Sequence, residues 1–266
     1  MAYYSLFKST YKIFSVVIII LIPNNMSNLT TPLINKLSSL EELVFKTNKF
    51  KYSLFESVPV FSFPSTNFNK KKFTKNRIVL HYTAGGLVGD FTKLALSKDK
   101  VNVAFLIARN GKIIQLFNPD YWAYHLGKEA LGGNKLQSCQ TIGIEISNWG
   151  WLNLKDDVLF TYTGIPYCHV SETDKYIKTS EFRGKQYWAT FTEEQYTSLK
   201  SLLSALTKRY NIPYEFLPES ERNEYTNKVL NFRGIVTHTN YRGKTQYNTF
   251  DKWDIGPAFN WNKITP

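Results

Sequence analysis

The segment RIVLHYTAGG, beginning at Arg77, constrains the fold more than any other stretch of the chain. Arg77, Ile78, Val79 and Leu80 form a short apolar, β-branched run that reads as a buried strand. The run stops at His81, and Thr83, Ala84, Gly85 and Gly86 open a loop of small residues. An imidazole at the end of a core strand, facing such a loop, is held rigidly yet stays within reach of solvent or ligand. Preorganised ligating side chains sit best on regular elements, so this placement suits a metal ligand. A lone strand-end histidine is more often structural. The case for ligation rests on partners elsewhere in the chain.

Those partners are present. RGIVTH, from Arg233, is a second β-branched strand that ends in histidine, at His238. TIGIEIS, from Thr141, is a third apolar strand, with one carboxylate inside it, Glu145. A glutamate in such a run is paired, protonated or functional, because burying an unpaired charge is costly. Asp254 stands just before a Gly-Pro turn near the end of the chain. Two imidazoles and one carboxylate leave a fourth tetrahedral position on a zinc ion open to water, the layout of a hydrolytic zinc site.

The remaining sequence supplies a frame for these pieces. Residues 87–96 have the apolar spacing of a helix, and residues 101–107 and 112–117 read as strands joined by Arg109, Asn110 and Gly111, a strong hairpin signal. Thr192 to Gln195 is a capping box that opens a helix with Tyr196, Leu199, Leu203, Leu206 and Tyr210 on one apolar face. Residues 149–190 are polar-aromatic and poorly periodic, and read as an insertion of loops and short strands. Residues 51–75 mix aromatics, prolines and the Lys70–Lys72 cluster, and read as an irregular lead-in packed on the main domain. Residues 29–45 read as one or two short amphipathic helices.

At the N-terminus, Lys8 and Lys12 precede an apolar run, residues 13–22, ended by Pro23. The run is short for a bilayer span but has the proportions of a signal-peptide core, although no small-residue cleavage site follows. Met26 offers a second reading, in which translation begins there. The chain thus divides into residues 1–25, a signal or anchor segment or a misassigned start; 26–74, an N-terminal extension; and 75–266, a catalytic domain carrying the 149–190 insertion. Cys139 and Cys168 match no metal-binding or redox spacing and are expected as buried thiols.

With 266 residues, 43% hydrophobic and 20% charged, the chain is long and apolar enough for a real core. Its formal net charge of +12 favours an anionic partner: nucleic acid, anionic lipid or a bacterial cell-wall polymer. The charge is not gathered into one recognition helix. No helix-turn-helix, zinc-finger or RNP-like signature is present, so no nucleic-acid partner is expected.

In order along the chain, HYTAGG at His81, FLIARNGKI at Phe105, Trp-x-x-His-x-Gly at His125, TIGIE at Glu145, FTEEQYTSLKSLL from Phe191, the strand-end His238 and KWDIGPAF from Lys252 form a specific pattern. From about Arg77 to Phe259 the chain resembles the zinc N-acetylmuramoyl-L-alanine amidases of the AmpD, phage-lysozyme and peptidoglycan-recognition-protein group. The resemblance implies an α/β fold, a mixed central β-sheet flanked by helices with the metal at one end of the sheet. It implies one zinc ion per chain held by His81, His238 and Asp254, with Glu145 as general base and Lys252 stabilising the oxyanion. His125 matches a family histidine near the substrate cleft, and Trp122 and Trp149 are candidates to line that cleft. Some relatives use a tyrosine base on the strand before the hairpin; that position here is Val103. Ala104 and Ile255 also depart from the family, and the stretch between His238 and Asp254 is longer, which makes Asp251 a competitor for the third ligand. Lys252-x-Asp254 followed by Gly-Pro-Ala-Phe favours Asp254.

The expected activity is therefore hydrolysis of the amide between N-acetylmuramic acid and L-alanine, by a phage endolysin or a bacterial wall-remodelling enzyme acting as a monomer on peptidoglycan or muropeptide. A non-catalytic peptidoglycan-binding protein on the same fold is the alternative. Membrane contact is expected only if residues 13–22 act as signal or anchor. The cell envelope, periplasm or exterior is then the destination; otherwise it is the host cytoplasm before release to the wall.

Overall fold

The computed structural model describes residues 41–266. The apolar run 13–22, the alternative start at Met26 and most of the amphipathic stretch 29–45 lie outside the described residues. Among the described residues no helix is long and apolar enough to cross a membrane.

A helical turn over residues 41–47 leads into the hairpin β1 (Lys51–Phe55) and β2 (Val58–Ser62). There follow β3 (Arg77–Tyr82), α1 (Leu87–Leu96), β4 (Phe105–Ile107), β5 (Ile113–Gln115), α2 (Asn134–Gln140) and β6 (Thr141–Ile146). Five more strands come next: β7 (Trp151–Lys155), β8 (Val158–Phe160), β9 (Pro166–His169), β10 (Tyr176–Phe182) and β11 (Lys185–Ala189). Helix α3 (Glu193–Tyr210) and strand β12 (Gly234–Thr237) complete the regular elements.

The main sheet has seven strands in the order β1-β2-β5-β4-β6-β3-β12. It is mixed: β12, β3, β6 and β4 run parallel, whereas β4–β5 and β1–β2 are antiparallel. Every residue of β3 is buried, as its unbroken apolar run requires of a central parallel strand. Successive side chains alternate between two cores. Ile78, Leu80, Ile142, Ile144 and Ile235 join the cluster that includes Leu87 and Phe91 of α1 and Leu199, Leu203 and Leu206 of α3. Val79 and Val236 turn the other way, towards Leu126, Leu217 and Tyr241. Each fully buried leucine in α3 contributes about 1.5–3 kcal/mol. Thr192 and Gln195 form the reciprocal capping box, and Asn211 ends the helix in the left-handed region at φ 50°.

Two regions are more regular than the sequence reading makes them. Residues 51–62 are not irregular: β1 and β2 extend the main sheet through β2, which pairs with β5. The short strands expected in the 149–190 insertion are gathered into a second, five-stranded antiparallel sheet in the order β10-β11-β7-β8-β9. Three two-residue turns explain why both were hidden. Glu56-Ser57, Asp156-Asp157 and Arg183-Gly184 each have positive φ at both central positions, the primed turn geometry that suits twisted hairpins. Two of the three lack the glycine that normally announces such a turn. By contrast, the Arg109–Gly111 hairpin forms where the sequence placed it, although β4 is shorter than expected and begins at Phe105. Cys139 and Cys168 are both free and buried.

Candidate metal centre

The site follows from strand register. Thr237 pairs with Leu80, so His238, the next residue, stands beside His81; His81 in turn pairs with Glu145. His238, His81 and Glu145 therefore form a row across β12, β3 and β6 at the carboxyl ends of three parallel strands. Neighbouring strands are about 4.8 Å apart, close enough for two imidazoles on the same face to share one ion. Asp254 arrives from the C-terminal loop, where its carbonyl accepts from the Thr239 amide at 3.0 Å.

The three side chains converge on one point. His81 Nδ1 lies 3.1 Å from His238 Nδ1 and 3.0 Å from Asp254 Oδ2, and His238 Nδ1 is 2.9 Å from the same oxygen. All three residues are buried. His238 Nε2 is 3.0 Å from the Leu126 carbonyl, which can only accept, so this nitrogen carries a proton and Nδ1 is the ring nitrogen left for a metal. Tetrahedral zinc, with bonds of about 2.0–2.2 Å, sets ligand–ligand edges at roughly 3.3 Å. The spacing and the donor set, two nitrogens and one oxygen, fit such an ion.

The electrostatics suit cation binding. Burial alone would raise the Asp254 carboxyl, but the His238 and His81 imidazoles hold it well below the usual range. Burial pushes His81 down to about 4, against the pull of Asp254, so its imidazole is neutral near pH 7. Glu145 is shifted the other way, well above an ordinary carboxyl, first by burial and then by the charges of Asp254 and Asp90. The positive charge of Lys252 opposes that rise and also lowers His81. Glu145 Oε2 is shut off from solvent and has no hydrogen-bond partner among the described residues. An acceptor in that state is available for a proton from a reacting group.

The two candidates for the third ligand have different surroundings. Asp251 pairs with the Arg242 guanidinium, which also reaches Glu129 at 3.2 Å, and Asp254 alone joins the histidines. The residues assigned to a cleft have the following surroundings. His125 lies behind His81: its Nδ1 is 3.0 Å from His81 Nε2, and it lines a small cavity with Trp122, Val103 and Thr141. Trp122 is buried, with its ring edge-on to Tyr124. Trp149 is half-buried against the loop that follows His81; a Cβ on Gly86 would sit 3.2 Å from its ring.

Several supporting residues escaped the sequence reading. Arg183, at the β10–β11 turn, donates from Nη1 to the Lys252 carbonyl at 2.7 Å, and Trp253 Nε1 donates to the Arg183 carbonyl at 3.0 Å. The inserted sheet thus grips the chain leading to Asp254. Asp90, on the buried face of α1, accepts from Ser147 Oγ at 2.9 Å. Gly143 leaves room for His125: a Cβ there would lie 3.2 Å from the imidazole Cγ and Nδ1. An isolated glycine inside a strand is a signal of such close approach, and could have been read. Arg183 offered none, since Arg-Gly reads only as a turn.

No curated protein matches the sequence. Among solved structures, similarity is found to a selenomethionine derivative of AmpD, 17% identical, covering 76% of this chain and 90% of that one, with a TM-score of 0.46. AmiD from E. coli, solved with anhydro-N-acetylmuramic acid-L-Ala-D-γ-Glu-L-Lys, is 22% identical over 73% of this chain and 58% of its own, with a TM-score of 0.45. AmpDH3 from Pseudomonas aeruginosa is 18% identical over 73% and 60%, with a TM-score of 0.43. The chain thus spans less than two thirds of the latter two. The family described as N-acetylmuramoyl-L-alanine amidase matches residues 72–257, most of the chain and every residue of the candidate metal centre, and the chain belongs to that family.

Proposed function

We propose that His81, His238 and Asp254 hold one zinc ion, and that the chain hydrolyses the amide joining N-acetylmuramic acid to the L-alanine of the stem peptide. The observation that carries this reading is the convergence of His81 Nδ1, His238 Nδ1 and Asp254 Oδ2 within 2.9–3.1 Å of one another, at the end of the row that includes Glu145. When bound, zinc supplies Lewis acidity, which favours ionisation of water near neutral pH and polarises a carbonyl.

The residues divide the remaining work. Glu145 accepts the proton of the attacking water and returns it to the departing amine; burial raises its pKa above the usual carboxyl range, which strengthens it as a base. Lys252 places a positive charge where the scissile carbonyl oxygen becomes negative, an effect whose removal typically costs on the order of 100-fold or more in rate. One chain supplies every group, so a monomer is the catalytic unit. Peptidoglycan or a muropeptide is the substrate, and the cell wall is the place of action. The excess of positive charge complements an anionic wall.

Metal analysis of the purified protein together with mass spectrometry of its products from sacculi tests the reading. One zinc per chain and release of intact stem peptides beginning with L-alanine are expected. Products cut within the glycan or within the peptide would refute it.

A further inference from the structure

We infer that His125 and Thr141 are positioning residues that fix the tautomer of His81, so that its Nδ1 presents a lone pair to the metal; this rests on the zinc reading above. His238 has a backbone carbonyl to set its tautomer, but His81 does not. Its Nε2 instead meets a second imidazole, His125 Nδ1, at 3.0 Å. Two neutral imidazoles can share a hydrogen bond in either direction, so that contact alone leaves the proton of His81 undetermined.

The direction is set two bonds further back. His125 Nε2 lies 2.9 Å from Thr141 Oγ1, and Thr141 Oγ1 lies 2.8 Å from the Gln137 carbonyl. The carbonyl can only accept, so the single hydroxyl proton of Thr141 goes to Gln137. Thr141 then meets His125 with a lone pair, and His125 Nε2 must donate. A neutral His125 is left with a bare Nδ1, which accepts, so His81 must donate from Nε2. The ring nitrogen of His81 left for the metal is then Nδ1, 3.0 Å from Asp254 Oδ2, which accepts any proton that Nδ1 carries when no metal is bound. Orientation thus passes from a carbonyl of α2 through a hydroxyl and an imidazole to the ligand.

The sheet is built to hold this relay. Thr141, Gly143 and Glu145 lie on one face of β6, and the His125 ring crosses that face above Gly143, the one position without a Cβ. Removing the Thr141 hydroxyl reverses the preference. His125 Nε2–H would be a buried donor without an acceptor, so the proton moves to Nδ1, where it can be donated to His81 Nε2. His81 must then carry its own proton on Nδ1, pointed at Asp254, where it competes with the metal.

Two measurements decide the matter. Long-range proton–nitrogen NMR of the metal-free parent at neutral pH should show His125 protonated on Nε2 with Nδ1 bare; a His125 proton on Nδ1 overturns the relay. Zinc affinity, measured by competition with a chelator, should fall about 10–100-fold in Thr141→Val and return in Thr141→Ser, which keeps the hydroxyl. A folded Thr141→Val protein that binds zinc as tightly as the parent also overturns it. A parent that takes up no zinc refutes the proposed function, and the NMR result on the same metal-free protein still decides the relay.

Discussion

Arg183 Nη1 donates to the Lys252 carbonyl at 2.7 Å, so a residue of the inserted sheet holds the backbone two positions ahead of the candidate ligand Asp254. A second bond runs to the Arg242 carbonyl at 3.3 Å, on the other side of the Asp251 loop. The long stretch between His238 and Asp254 therefore has its end fixed from outside. Hydrogen bonds from a charged donor are worth about 1.5–3 kcal/mol. Arg183→Ala should lower zinc affinity roughly tenfold or more without changing the ligand set. Calorimetric titration of zinc into the variant checks this; unchanged affinity would mean that the loop holds its shape unaided.

Asp254 and Asp251 give opposite expectations although they are close in sequence. Asp254→Asn should weaken zinc binding by more than about 100-fold, beyond the effect usual for outer-shell residues. Asp251→Asn should leave one zinc per chain, because its carboxylate belongs to Arg242. Equilibrium dialysis of both variants separates them, and the reverse ranking would exchange the two assignments.

Glu145→Gln should keep zinc yet lose activity by about 100- to 10,000-fold, the range for removing a general base. It also carries a stability signature in the metal-free protein. The Glu145 carboxyl is raised above 4.5 by burial, so the folded state binds its proton more tightly than the unfolded state. That contribution is complete below pH 4.5 and is lost as pH rises through the folded value. The parent should therefore lose stability relative to Glu145→Gln as pH rises above 4.5. Denaturant titrations of the two metal-free proteins across that range check the sign.

The legible parts of this protein are those where one residue pattern had one physical solution. RIVLH and RGIVTH could be buried only as central strands, and parallel pairing of two strands that both end in histidine brings the imidazoles together. The Thr192 capping box fixed the start of α3. What stayed hidden depends on contacts between distant residues. The inserted sheet turns on Asp156-Asp157, where both residues take the positive φ of a primed turn that aspartate tolerates but announces less plainly than glycine. The resemblance places His125 near the substrate cleft; only packing over Gly143 shows that it backs His81.

Asp90 should make the fold weaken with rising pH. Burial lifts its pKa to about 7 from an ordinary value of 3.8, despite the hydrogen bond from Ser147. The folded state thus holds this proton across the interval from 3.8 to about 7, where the unfolded chain has released it. Stability from this group is complete below pH 3.8 and lost as pH passes about 7, a swing of at most about 4 kcal/mol. Asp90→Asn keeps an oxygen for the Ser147 hydroxyl and removes the titration. Its unfolding free energy should change less between pH 5 and pH 8 than that of the parent, by about 2–4 kcal/mol in urea titrations. Parallel pH profiles for the two proteins would show that Asp90 stays ionised inside the fold.

Gly143→Ala joins the packing of the sheet to the chemistry of the metal centre. The added methyl would lie 2.8 Å from Val103 Cγ1 and 3.2 Å from the His125 ring, which it must push away from the strand. Overpacking of this kind costs typically about 1–3 kcal/mol. Val103 can absorb part of the strain by rotating, but the imidazole is tied at both ends, to His81 at 3.0 Å and to Thr141 at 2.9 Å. Displacement therefore breaks at least one of those bonds. Zinc affinity should fall along with the melting temperature. A destabilising mutation elsewhere in the sheet, such as Ile142→Val on the opposite face, should lower the melting temperature while sparing the metal, since Ile142 packs in the core shared with α3. Equal losses of zinc in the two variants would show that general loosening of the sheet, and not the seat of His125, governs the site.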